Sequence, residues 1–83
     1  MDKVLVGIHV PAIQKVFDAF VPLDISAADA AKLLSESIVD ISDGRYGLSH
    51  QEMLSLKGPD RLLNPQFSLR DYGIQDGMQL YLI

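Results

Sequence analysis

The sequence predicts an α+β domain in which one long helix crosses a mixed four- to five-stranded sheet, with one short helical turn. Three observations lead there. Two β-branched stretches at the start, "KVLVGIHV" and "KVFDAFV", are joined by a short Pro-containing link. One capped amphipathic stretch, "SAADAAKLLSESIVDI", follows them. The end, "MQLYLI", is apolar at alternate positions. One helix cannot bury its apolar stripe by itself, and neither can one sheet face, so the two must cover each other.

Lys3–Val10 reads as the first strand, because Val4, Val6, Ile8 and Val10 recur at period two. Pro11–Gln14 interrupts it, since proline cannot donate to a ladder. Lys15–Val21 is the second strand, paired with the first as a hairpin. Its two faces, Phe17, Ala19, Val21 and Val16, Asp18, Phe20, are both largely apolar, so something is expected to cover each.

Pro22 ends that strand, and the helix spans Ser26–Ile41. Ser26 is the cap, with Asp29 three residues on. Ala27, Ala30, Ala31, Leu34, Ile38 and Ile41 form one stripe. Its three alanines let the helix sit close to a sheet. The turn-rich "SDGRYG" (Ser42–Gly47) stops the helix.

A short third strand is expected at Met53–Lys57, then a Gly-Pro turn and another turn at Asn64-Pro65. Ser68–Ile74 reads as one capped helical turn, with Ser68 and Asp71 as the cap pair. Asp76-Gly77 is a tight turn, and Met78–Ile83 is the last strand with Met78, Leu80 and Leu82 on one face. The first and last strands should lie parallel in the middle of the sheet.

Length and composition narrow the function. Eighty-three residues make a single domain, 1–83, without room for a deep catalytic cavity. The net charge of -4 with scattered Lys and Arg argues against nucleic acid, which needs clustered cations. Without cysteine there is no disulfide framework and no thiolate site, which fits a reducing cytoplasm. The start lacks a signal-peptide core, and no apolar run approaches the roughly 20 residues that cross a bilayer.

No catalytic, cofactor or metal constellation is legible. His9 in a strand and His50 in a loop, with Glu52, lack metal-ligand spacing and read as surface histidines. The glycines are isolated turn or bulge residues and form no phosphate loop. Asp24, Asp29, Glu36, Asp40 and Asp43 read as a solvated helix face, the alternative being a binding surface. What remains is surface for a protein partner. If Val4, Val6 and Ile8 face the helix, then Leu5, Phe20, Met53, Tyr81 and Ile83 lie on the outer sheet face, with His9 and Val16 alongside. They form either an interface or a scatter of single apolar residues.

The ending "SLRDYGIQDGMQLYLI" resembles the closing segment of ubiquitin, a β-grasp protein in which Leu-x-Asp-Tyr-x-Ile precedes the last strand. The resemblance implies that Leu69 and Ile74 are core and that the Tyr72 hydroxyl is tied to nearby backbone. The chain also resembles the EsaB/YukD family, small bacterial ubiquitin-like proteins encoded with type VII secretion systems. That likeness rests on Phe17-Asp18, on "VPLDISAADAAKLL" and on Asp71–Gly77. It implies a non-conjugating accessory or adaptor protein of a type VII, WXG-type system, acting in the cytoplasm without cofactor. Its partner would be a component of the membrane machinery or a second copy of this chain. Ubiquitin ends in a Gly-Gly tail that reaches an adenylating enzyme, whereas this sequence stops at Leu82-Ile83, so it is expected to be neither an enzyme nor a conjugated modifier. The alternative is a β-grasp interaction domain of another complex, unrelated to secretion. In ubiquitin the outer sheet face is the main recognition surface; Ser55 falls near ubiquitin's central exposed isoleucine, so ubiquitin's own partners are not expected to bind.

Overall fold

Val4, Val6, Ile8 and Val10 are all buried, whereas Leu5 between them is exposed, so the period-two pattern of the first strand is realised as one core face and one outer face. The computed structural model describes residues 2–48, 51–58 and 61–83, so the expectation for His50 lies outside the described residues. Its strands are β1 (Lys3–Val10), β2 (Lys15–Pro22), β3 (Leu54–Leu56), β4 (Arg61–Leu62) and β5 (Gln79–Leu82), with one helix, α1 (Ala27–Ile41). Single 3-10 turns occupy Pro11–Ile13 and Arg70–Tyr72.

The strands form one five-stranded sheet in the order β2-β1-β5-β3-β4. β1 pairs antiparallel with β2 and parallel with β5, and β3 runs antiparallel to both β5 and β4. The first and last strands are thus adjacent and parallel, as the sequence requires. This is the ubiquitin-like β-grasp.

The core lies between the sheet and α1. Ile8, Leu80, Leu82 and Leu54 meet Ala27, Ala30, Ala31, Leu34 and Ile38. Ala30 and Ala31 are essentially inaccessible. At the start of α1 the Ser26 hydroxyl accepts the Asp29 N–H at 3.1 Å. The next free donors find carbonyls from a distant loop: Ala27 N–H donates to Phe67 O at 2.7 Å and Ala28 N–H to Pro65 O at 3.0 Å. Helix capping and tertiary closure are the same event here.

Three local expectations need correction. Ile41 is 60% exposed rather than core. Asp43 and Gly44 take left-handed conformations that reverse the chain, and Tyr46 enters the core beside the helix end instead. The third strand is Leu54–Leu56 rather than Met53–Lys57, although Met53 still hydrogen-bonds Ile83, and Lys57 Gln79, through their backbones. β4 was absent from the sequence reading. Its two residues pair with Ser55 and Leu56, a length too short for any periodicity to show.

The ubiquitin-like ending folds as the resemblance implies. Leu69 and Ile74 are buried. The Tyr72 hydroxyl accepts the Asn64 N–H at 2.7 Å. Ser68 and Asp71 cap one another reciprocally: Ser68 N–H donates to Asp71 Oδ2 at 3.0 Å and Asp71 N–H to Ser68 Oγ at 3.1 Å.

Candidate functional site

The strand register builds the outer sheet face in rows. Leu5 lies opposite Phe20. The next row holds Asp18, Gly7 and Gln79, followed by Lys57, whose N–H bonds to Gln79 O at 3.1 Å. The third row runs across all five strands as Val16, His9, Tyr81, Ser55 and Leu62. A last row joins Ile83 to Met53, whose backbones exchange hydrogen bonds of 2.7 and 2.9 Å.

The five residues singled out from the sequence therefore share one face, but they are not one patch. Leu5 and Phe20 pair at one end. Met53, Tyr81 and Ile83 gather at the other. The polar row of Asp18, Gly7, Gln79 and Lys57 runs between them. Two rows along a strand span about 13 Å, too far for Leu5 to touch Tyr81. Phe20 is the most exposed of the set at 69%, Ile83 is 55% exposed, and Met53 and Tyr81 are half-buried. Two further exposed apolar residues complete the face, Val16 at its β2 edge and Leu62 at its β4 edge. Leu62 escaped the sequence reading with the strand that carries it. Ser55 is buried although it belongs to the outer row.

The polar row is held by one side chain. Gln79 folds over Gly7, and its Oε1 lies 2.8 Å from His9 Nε2. Its amide nitrogen donates to Gly77 O at 3.1 Å. His9 also meets the Tyr81 ring edge-on, with centroids 5.6 Å apart. The histidine is thus a structural member of the face, with a glutamine and a tyrosine as its neighbours. Among the described residues no group of histidines and carboxylates is placed to hold a metal ion.

Two other features carry unusual electrostatics. Tyr46, buried beside the helix end, donates its hydroxyl to Glu52 at 2.9 Å. Burial first, then the hydrogen bond to Glu52, raise its pKa from 10.0 to about 12. On the surface, Arg70 bridges two acids: Nε contacts Asp24 at 2.6 Å and an Nη contacts Asp2 at 2.9 Å. The Arg70 hydrogen bond holds the Asp24 carboxyl below its usual range, and the two acids raise the arginine's pKa in turn. Asp24 therefore serves a chain-closing ion pair, while Asp29, Glu36, Asp40 and Asp43 are exposed on and just beyond α1.

A groove also runs between α1 and β3, floored by Ala27, Leu54 and Leu63 and rimmed by Asp29, Lys32 and Glu36. Among the described residues that line it, no nucleophile–base pair is present. Among the described residues no helix is long and apolar enough to cross a membrane.

No protein-family model matches the chain. No curated protein matches it either. Solved structures do. The ubiquitin-like domain of the Mycobacterium tuberculosis type VII secretion system protein EccD1 is 23% identical with a TM-score of 0.66, covering 100% of this chain and 99% of that one. The EccD5 ubiquitin-like domain from Mycobacterium xenopi is 16% identical with a TM-score of 0.81, covering 100% and 94%. The ubiquitin-like domain of Plasmodium falciparum Dsk2 is 24% identical with a TM-score of 0.69, covering 99% and 100%. At such identities these likenesses establish the fold, a module found in both secretion and unrelated proteins.

Proposed function

We propose that this chain is a non-enzymatic, non-conjugated adaptor of a bacterial type VII-like secretion system, acting from the cytoplasm by binding a protein component of the membrane machinery. The observation that carries the reading is the outer sheet face, where all five strands contribute a row that α1 cannot cover, exposed at its ends Val16 and Leu62, with Ile83 exposed in the row beside it. Leaving apolar area in water forgoes about 25 cal/mol per Å², so such a surface favours a partner. Tyr81, Met53 and Ile83 form its centre, and Leu5 with Phe20 a second contact across the polar row. The whole-length likeness to two EccD ubiquitin-like domains supports the secretion setting, together with the resemblance of Phe17-Asp18 and Asp71–Gly77 to EsaB/YukD proteins.

The test is binding of purified chain to the purified cytoplasmic portion of the FtsK/SpoIIIE-type ATPase that this reading expects in its gene neighbourhood, measured by calorimetry. Tyr81→Ser and Ile83→Glu should each weaken binding at least tenfold, with the circular dichroism spectrum unchanged. Binding that is indifferent to both changes would remove the face from the proposal. Adducts through the C-terminus in cells would overturn the non-conjugating role.

The second reading is a β-grasp interaction domain of another complex. The Dsk2 domain favours it, being 24% identical against 23% for EccD1. Gene neighbourhood separates the two: an FtsK/SpoIIIE-type ATPase and small WXG-type helical proteins belong only to the first.

A further inference from the structure

β2 is the edge of the sheet, and its outer side has no strand beside it among the described residues. The direction of its backbone groups follows from bonds at its end. Leu23 N–H donates to Asp2 O at 3.0 Å, which makes Asp2 and Leu23 a mutually facing pair. Facing pairs alternate along an antiparallel ladder. In the β1–β2 register they are then Val4–Val21, Val6–Ala19, Ile8–Phe17 and Val10–Lys15. β1 agrees, because its odd residues serve the other neighbour: Gly7 N–H donates to Met78 O, and Leu5 O accepts from Gly77. The N–H and C=O groups of Val16, Asp18 and Phe20 therefore point out of the sheet.

An open edge is a template for another strand, and proteins usually blunt it. Here only the ends are blunted. Pro22, the next outward position, has no N–H. At the other end Gln14 is left-handed and turns the chain away. Between them the open stretch Val16–Phe20 spans about 13 Å. Both its faces are apolar: Val16 and Phe20 are exposed on the outer face, while Phe17 and Ala19 are half-buried on the helix side. In the middle stands Asp18, exposed, with Gly7 as its neighbour on β1 and no ion pair among the described residues.

We infer that β2 is a strand-addition site that accepts an extended segment of a partner protein carrying a basic residue between two apolar residues on one face, in the pattern apolar-x-Lys/Arg-x-apolar. An antiparallel added strand places the cation opposite Asp18 and the apolar residues opposite Val16 and Phe20, while its backbone bonds the three outward residues. A second copy of this chain does not fit. A two-fold pairing centred on Asp18 sets the carboxylate against itself, and a shift by two residues sets it against Phe20 or Val16. The inference rests on the reading that the chain binds protein, and adds the site and the partner's chemistry.

The experiment titrates the 15N-labelled chain to millimolar with a capped synthetic peptide, Thr-Val-Thr-Lys-Thr-Val-Thr, and with the same peptide bearing Glu in place of Lys. Amide exchange at Val16, Asp18 and Phe20 should slow on binding, while Phe17 and Ala19, already bonded to β1, change little. The Lys peptide should bind about fivefold tighter than the Glu peptide, and Asp18→Lys should reverse that order, as a cross-strand ion pair of about 1 kcal/mol requires. Asp18 is exposed, so this variant keeps the fold. Three outcomes overturn the inference: no binding by either peptide, shifts confined to Tyr81, Leu62 and Ile83 without amide protection, or protection of the β2 amides in the peptide-free chain through self-association. The second leaves the outer-face reading standing, so the two fail separately.

Discussion

Gln79 occupies the space that a side chain on Gly7 would need: a Cβ there would collide with the glutamine amide, while nothing stands within 4 Å of the Cβ position at the other glycines. The two residues face each other across the parallel β1–β5 pair. Gly7 is thus a glycine because Gln79 must lie flat to reach His9.

Gly7→Ala should lift Gln79 off the sheet and break its 2.8 Å contact with His9. The side chain is the flexible partner, so the cost should be one surface hydrogen bond, about 1 kcal/mol. That corresponds to a fall in Tm of about 4–8 °C. The imidazole resonances of His9 should shift, and Gln79→Ala should give the same shift without the clash.

Ala30→Leu should be far more damaging than its position on a helix suggests. Ala30 is fully buried where α1 rests on the sheet, and added methylenes there force the helix outward at a cost of about 1–3 kcal/mol. Urea unfolding should show a lower midpoint with an unchanged slope. Leu33→Ala, on the 52% exposed side of the same helix, should change the midpoint little.

Tyr46 should titrate near 12 rather than 10.0. A raised folded-state pKa means that the neutral phenol is favoured by folding. Its stabilisation is complete below about pH 10 and is lost as pH rises through about 12. Absorbance at the phenolate band, compared between the wild type and Tyr46→Phe, isolates this group. A difference between the two proteins already centred on pH 10 would contradict the burial that raises it.

Asp24 behaves in the opposite sense. Its pKa is depressed below 3.8 by Arg70, so its contribution is present above the unfolded value and lost as pH falls through the folded one. Carboxyl 13C titration should place Asp24 below the ordinary aspartate range, and Arg70→Gln should return it there. Both partners are exposed, so added salt should erode the effect.

The elements whose physics is local are legible from the amino-acid order alone. β1 and β5 announce themselves by alternation because each buries one face in full. α1 is bounded by Ser26 and by the Ser42–Gly47 turn because caps and left-handed residues act within a few positions. The Ser68–Asp71 cap was legible for the same reason, and the Tyr72 hydroxyl bond through the resemblance to ubiquitin's ending. The outer face was legible too as a parity: once Val6 faces the helix, Leu5 cannot.

Features that depend on register and on chain reversal arise in the folded chain. β4 exists because the chain returns beside β3, and two residues carry no period. Ile41 continues the helical stripe but overhangs the core, whereas Tyr46 enters it once Asp43 and Gly44 reverse the chain. Register decided that Leu5 and Phe20 sit apart from Met53, Tyr81 and Ile83. Strand order left β2 at the edge, with two apolar faces and an open row of backbone groups. Pairing partners far apart in sequence fix these features, and no local pattern in a chain encodes which strand will be its neighbour.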